Sequence, residues 1–155
     1  MSQLMSDTRF PTALQIVVTV AVNEAAGVRT TSPQLAASLD TNPSFVRKIV
    51  STLSKSGILV SSDGVSGGIR LAREASDIKL LDIHGSVLPE QKAWSARENI
   101  PTICTVTRNI GAVSDQLSAR ADKAVAGILE GVTVQDCIDK IHQLDRAEPD
   151  AAVQS

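Results

Sequence analysis

Residues 62–73, SDGVSGGIRLAR, set Gly64, Gly67 and Gly68 directly ahead of Arg70 and Arg73. Two guanidiniums beside a glycine cluster suit the binding of an anion that must come close to a backbone. A nucleotide-cradling loop is excluded, because there is neither a Walker lysine nor a GxGxxG that opens a helix. The flanks narrow the choice. Ile58–Val60 is apolar and Ile69–Leu71 alternates, as two strands of a hairpin do, so the glycines are either a free hairpin tip or a tip that lies against a large partner. Elsewhere the chemistry is sparse. Two Cys and two His offer no closed zinc-ligand spacing, and with no nucleophile–base pair or cofactor loop an enzyme is not expected.

The other cations gather nearby. Between residues 42 and 73, Arg47, Lys48, Lys55, Arg70 and Arg73 face a single acid, Asp63, although the whole 155-residue chain carries a net charge of −2. Residues 1–79 hold eight Lys and Arg against six Asp and Glu, and residues 80–155 hold seven against eleven. A basic patch on an acidic protein is what attracts DNA; the mean charge is not. Phe10, Phe45 and Trp94 are the only aromatics, too few for a platform that stacks single-stranded bases.

Three helices and a hairpin would position these groups. Phe10–Ala26 reads as a helix that is apolar nearly all round, hence buried, with Gly27 at its end. Ser32-Pro33 signals a short second helix through Leu39, with Ser32 as its cap, and Asn42-Pro43 opens a third that runs to Ser56 and stops at Gly57. In the third, Val46, Ile49, Val50 and Leu53 follow the i, i+3, i+4, i+7 spacing of a buried stripe. The opposite side carries Ser44, Arg47, Lys48, Ser51, Ser54 and Lys55, with Phe45 near its start and no acid. A solvated helix face normally mixes signs. The expected fold is mainly α with a small β-hairpin: a winged helix-turn-helix whose third helix enters a major groove.

The run NPSFVRKIVSTLSKSGILVSSDGVSGGIRLAREASDIKLLDI, Asn42–Ile83, resembles the Rrf family of winged-helix repressors, which includes the iron–sulfur cluster regulator, the nitric-oxide-sensing repressor and the cysteine-metabolism repressor. Leu53, Gly57, Gly64, Gly67, Gly68, Leu71, Ala72, Ile78, Leu80, Asp82 and Ile83 stand at the family's motif positions, and a weaker resemblance spans 8–130, including CTVTRNIG at 104–111. Two positions depart from the pattern: Asp63, where the family is usually basic, and Ile69, where it is usually aromatic. The resemblance implies a homodimer on a pseudo-palindromic double-stranded DNA operator, contacted by Ser44, Phe45, Arg47, Lys48, Ser51, Lys55, Gly67, Gly68, Arg70 and Arg73. Cluster-binding members carry three cysteines in the loop before the long C-terminal helix. Here that loop has only Cys104, so no iron–sulfur cluster, and no other cofactor, is expected. A protein-interaction module that never touches DNA is the rival reading; Asp63 and the acidic balance favour it, and the acid-free face of the third helix opposes it.

The remaining chain is divided as follows. Residues 8–88 form the winged helix-turn-helix domain, 89–104 a sensor loop, 105–145 a dimerisation helix and a terminal helix, and 146–155 a disordered tail. Ile78–Val87 reads as a short helix capped by Asp77, with His84 as a structural residue and Trp94 as an anchor of the loop. Thr105–Glu130 reads as one long helix whose stripe, Val106, Ile110, Val113, Leu117, Ala121, Ala124 and Ile128, is narrow and coiled-coil-like, and is expected to pair two copies. Gly131 ends it and Thr133–Leu144 forms the last helix. Cys104, at the helix start with Arg108 one turn on, is either a redox or electrophile sensor or an inert thiol; Cys137 is read as packing, with a resolving role as the alternative. The longest apolar stretch, 13–22, is too short and interrupted to span a membrane and has no signal-peptide flanks, so the chain is expected in the cytoplasm.

Overall fold

The computed structural model describes residues 7–147. Its first helix, α1 (Arg9–Ala25), buries Ala13, Ile16, Val17 and Val20 completely, as an all-round apolar helix must. After a short turn comes α2 (Ser32–Ser38), which begins one residue earlier than its cap was expected to allow. Thr31, not Ser32, is the cap. Its hydroxyl accepts the Gln34 N–H at 3.4 Å, while the Gln34 side-chain oxygen accepts the Thr31 N–H at 2.9 Å, and this reciprocal pair outcompetes the lone Ser32 hydroxyl. The third helix, α3 (Pro43–Lys55), starts as expected: Asn42 Oδ1 accepts the Ser44 N–H at 2.7 Å, and Pro43 sits where a missing N–H is harmless. Val46, Ile49, Val50 and Leu53 are all buried.

Gly57 reverses the chain at φ +73°, a conformation that costs an L side chain about 1–2 kcal/mol. The reversal launches β1 (Leu59–Ser62), which pairs antiparallel with β2 (Gly68–Leu71) in the register Leu59↔Leu71, Val60↔Arg70, Ser61↔Ile69 and Ser62↔Gly68. The pair is a wing. It is tied to the helices at two backbone points: the Ile69 N–H donates to the Thr30 carbonyl at 2.8 Å, and the Leu71 N–H donates to the Glu24 carboxylate at 3.0 Å. Ile69 is therefore core, which accounts for an aliphatic residue at that place.

A 3₁₀ turn (Ala75–Asp77) leads into α4 (Leu80–Val87), which starts two residues later than the sequence suggested and without Asp77 as its cap. The reason is non-local. Val134 donates its N–H to the Ile78 carbonyl and Leu80 donates to the Val132 carbonyl, each at 2.9 Å, so residues 78–80 are held extended by a bridge between Lys79 and Thr133. Asp82 then receives the Lys79 N–H at 3.2 Å and caps the helix in place of Asp77.

The long helix, α5, covers Thr105–Glu130, and the last, α6, covers Val134–Ala147 with Thr133 and Asp136 as a capping pair. Arg146 and Ala147 are thus helical rather than the start of a tail; the rest of the expected tail lies outside the described residues. Val134 and Ile138 return to the core built by α1, α3 and α4, and Cys137 packs against its edge. His84 packs edge-on against Phe10 with ring centroids 5.1 Å apart, the structural role expected of it. No helix among the described residues is long and apolar enough to cross a membrane.

Candidate nucleic-acid interface

The exposed side of α3 is built by subtraction. Once four residues spaced 3, 1 and 3 apart are buried, Ser44, Arg47, Lys48, Ser51 and Lys55 are left in solvent on the other side. Arg47 Nε donates to the Pro43 carbonyl at 3.3 Å, one turn back, which lays the side chain along the N-terminal half of the helix. None of the three ion pairs among the described residues involves Arg47, Lys48, Lys55 or Arg70. Lys55 also lies in the last turn, where the helix dipole favours a cation.

Two residues expected on this face do not belong to it. Phe45 is half-buried and packs against the core, because a phenyl ring beside the Val46–Ile49 stripe gains more from apolar contact than from water. Ser54 is also half-buried, with its hydroxyl shielded from solvent.

The wing divides its expected contacts in the same way. Arg70 is exposed on β2 opposite Val60. Arg73 instead spans three elements: its Nε donates to the Gly57 carbonyl and its Nη1 to the Asp77 carbonyl, each at 3.3 Å, and Nη1 lies 3.6 Å from the Asp82 carboxylate. It fastens the turn after α3 to the start of α4. Gly67 is buried in the wing itself; a Cβ there would collide with the Ser62 carbonyl oxygen and come within 2.6 Å of the Asp63 carbonyl carbon. At Gly68 a Cβ would come within 2.9 Å of the Thr30 oxygen. Both glycines are demanded by the protein's own backbone.

Sequence reasoning missed Arg29, whose Nη1 and Nη2 donate to the wing-tip carbonyls of Val65 and Gly64 at 3.0 and 3.2 Å. A single arginine in an aperiodic turn carries no local signal of a target 35 residues away.

The loop before α5 is anchored by Trp94, as expected. Its indole N–H reaches the Ser114 carbonyl and hydroxyl, and its backbone exchanges hydrogen bonds with Ser118, the one buried residue of α5. Cys104 is the N-cap of α5 and exposed. The backbone N–H of Thr107, then its hydroxyl, hold the Cys104 thiol below its ordinary pKa, with Val106 N–H adding to the effect. Arg108 takes no part; it reaches the Thr105 hydroxyl at 3.4 Å instead, so its expected role beside the thiol is not seen. Burial, then the Asp136 charge, push the Cys137 thiol the other way. Along α5, Val106, Ile110, Val113, Leu117, Ala124 and Ile128 are exposed, Ile128 at 68%, and Ala121 is half-buried. The described residues do not cover this stripe.

The profile of the Rrf2 family, described as iron-dependent transcriptional regulators, matches residues 6–140. The chain belongs to the Rrf2 family. It is therefore a transcriptional regulator and not an enzyme. A curated relative from Bacillus subtilis (strain 168), "Putative HTH-type transcriptional regulator YwnA", is 28% identical over 137 residues, 88% of this chain and 99% of the relative. Among solved structures, CymR, the global cysteine regulator of B. subtilis, aligns with a TM-score of 0.62 at 20% identity over 86% of this chain and 95% of its own. T. potens IscR aligns at 0.61 and 22% over 99% and 95%. These two likenesses establish the winged-helix fold.

The iron in the family description can be tested against the donor set. An iron–sulfur cluster takes four ligands, mostly thiolates, and the loop before α5 supplies one, Cys104. No three His, Cys, Asp or Glu side chains among the described residues come together to hold a metal ion. That loop therefore supplies fewer thiolates than a cluster takes.

The two thiols should separate in a titration. With the rate of iodoacetamide alkylation followed against pH in Cys137→Ser and Cys104→Ser proteins, Cys104 should reach half its maximal rate at a lower pH than Cys137. The ionised thiolate is the nucleophile, and only Cys104 has N–H groups aimed at it.

Proposed function

We propose that this Rrf2 regulator is a homodimeric repressor that reads a pseudo-palindromic double-stranded DNA operator. The observation that carries the reading is the exposed face of α3, which presents Arg47, Lys48 and Lys55 without an ion-pair partner among the described residues and without an acid of its own, next to a wing that adds Arg70. In this arrangement α3 lies in the major groove, Arg47 and Lys48 reach base edges or phosphates, Ser44 and Ser51 donate to the backbone, and Lys55 and Arg70 meet phosphates at the margins. Residues 8–88 act as the DNA-binding unit, 89–104 as the sensor loop, and 105–145 as the dimerisation helix and the helix that returns to the core.

The uncovered stripe of α5 supports the dimer. A helix of 26 residues is about 39 Å long and leaves its apolar residues in water unless a second copy covers them. Cys104 sits at the first turn of that helix, with its thiol biased toward thiolate. In the sensing step, the thiolate attacks a peroxide, the O–O bond breaks, and sulfenic acid and hydroxide are formed. The sulfur is oxidised, the peroxide is reduced, and no cluster is required. The changed cap alters how α5 begins and, through the dimer, the spacing of the two α3 helices on DNA.

Three outcomes follow. Against duplexes selected from a random pool, Arg47→Ala or Lys48→Ala should weaken binding by about 1–3 kcal/mol if the lost contact is to a base, or lower the salt slope by about one if it is to a phosphate; titrations at several salt concentrations decide. An Ile110→Asp, Leu117→Asp double replacement should shift sedimentation from dimer to monomer and remove tight operator binding, since two half-sites must be held together. Peroxide should release DNA from the wild type, with reductant restoring it, while Cys104→Ser binds normally and ignores the oxidant; equal release from both proteins would make Cys104 an inert thiol.

A further inference from the structure

We propose that Arg29 is a positioning residue for DNA binding: its guanidinium clamps the wing tip and fixes the pose in which the wing meets the duplex. The inference rests on the reading of the wing as a DNA contact.

Arg29 lies in the turn between α1 and α2. Its two terminal nitrogens donate to the carbonyls of Gly64 and Val65 at 3.2 and 3.0 Å, the paired use for which a planar fork is suited. The clamp is continuous with the other tie between wing and helices, the Ile69 N–H to the Thr30 carbonyl, so two adjacent residues hold both β2 and the tip. Gly68 makes the path possible, because a Cβ there would stand 3.2 Å from Arg29 Cγ.

Little else restrains the tip. Within it, Gly67 N–H donates to the Gly64 carbonyl at 3.1 Å, and Val65 is 98% exposed. A two-stranded hairpin is marginal in water by itself, so its order depends on what it is fastened to. Asp63 adjoins Gly64, so the clamp also holds a cation close to the residue that would repel phosphate. Because both terminal nitrogens are engaged by carbonyls, the guanidinium's task is to order the tip, and the phosphate contact falls to Arg70.

The experiment uses the full chain, Arg29→Gln and Arg29→Lys, each also combined with Arg70→Ala or Arg47→Ala, and a duplex selected from a random pool by the wild type. In the free protein, Arg29→Gln should accelerate hydrogen exchange at the Gly67 amide while leaving the amides of α1 and α3 protected. Binding should weaken about tenfold, since two charge-assisted hydrogen bonds that order the wing are lost. Arg29→Lys should recover little of it, because one ammonium cannot span both carbonyls as the fork does. Arg29→Gln and Arg70→Ala together should cost less than the sum of each, whereas Arg29→Gln with Arg47→Ala should be additive. Full recovery by Arg29→Lys, additivity with Arg70→Ala and unchanged Gly67 exchange would make Arg29 a direct phosphate contact and overturn the proposal. Faster Gly67 exchange with DNA binding untouched by both Arg29→Gln and Arg70→Ala would show a clamp on a wing that does not meet DNA, overturning the proposal through the reading on which it rests.

Discussion

A helix that is apolar nearly all round can leave little of itself in water, and α1 imposes that condition on the elements around it. Ile16, Val17 and Val20 are fully buried, and each such burial contributes about 1.5–3 kcal/mol. To cover them, α3, α4, α6 and β2 all pack on α1. The buried stripe of α3 is therefore fixed toward α1, and its cationic side is fixed outward as a geometric consequence. The wing inherits its place in the same way, since Glu24 at the end of α1 takes the N–H of Leu71 and the turn that follows takes the N–H of Ile69.

What was legible in the sequence follows from the range of the interactions concerned. The helices α1, α3 and α5 declare themselves because their periodicity is written in residues three and four apart, and the α3 cations can be read as exposed as soon as the stripe is recognised. Where α2 and α4 begin was less legible. At α2 two local caps compete and the better-partnered one wins; at α4 a backbone bridge to Thr133, more than fifty residues away, holds the chain extended past the expected start. The site divides along the same line. Arg70 and Arg73 look alike in sequence, yet one is in solvent and the other spans Gly57, Asp77 and Asp82, which only the folded arrangement of three separate segments determines. Arg29 was invisible for the converse reason, since its partners are carbonyls, which no side-chain pattern advertises.

The division of labour among the cations also reconciles an acidic chain with an anionic partner. Arg29, Arg73 and Lys79 are engaged within the fold, the last with Glu130, while Arg47, Lys48, Lys55 and Arg70 make no ion pair among the described residues and lie close together on α3 and the wing strand. At physiological salt, charges are screened beyond about 8 Å, so a duplex on that face feels the local cluster more than the acids of α5 and α6.

The bridge between Lys79 and Thr133 gives α5 an asymmetric mounting. Its C-terminal end is stitched by backbone bonds to the start of α4, and its middle is held by the preceding loop, through Trp94 to Ser114 and Ser118 and through the Ala93 N–H to Asp122. From Ser114 to Thr105 the helix runs about 14 Å past that hold, so a tilt of a few degrees there moves the Cys104 end by less than about 1 Å. The helix is in that sense a beam clamped at its end and its middle, and a change at Cys104 acts on a short overhang instead of on the whole length.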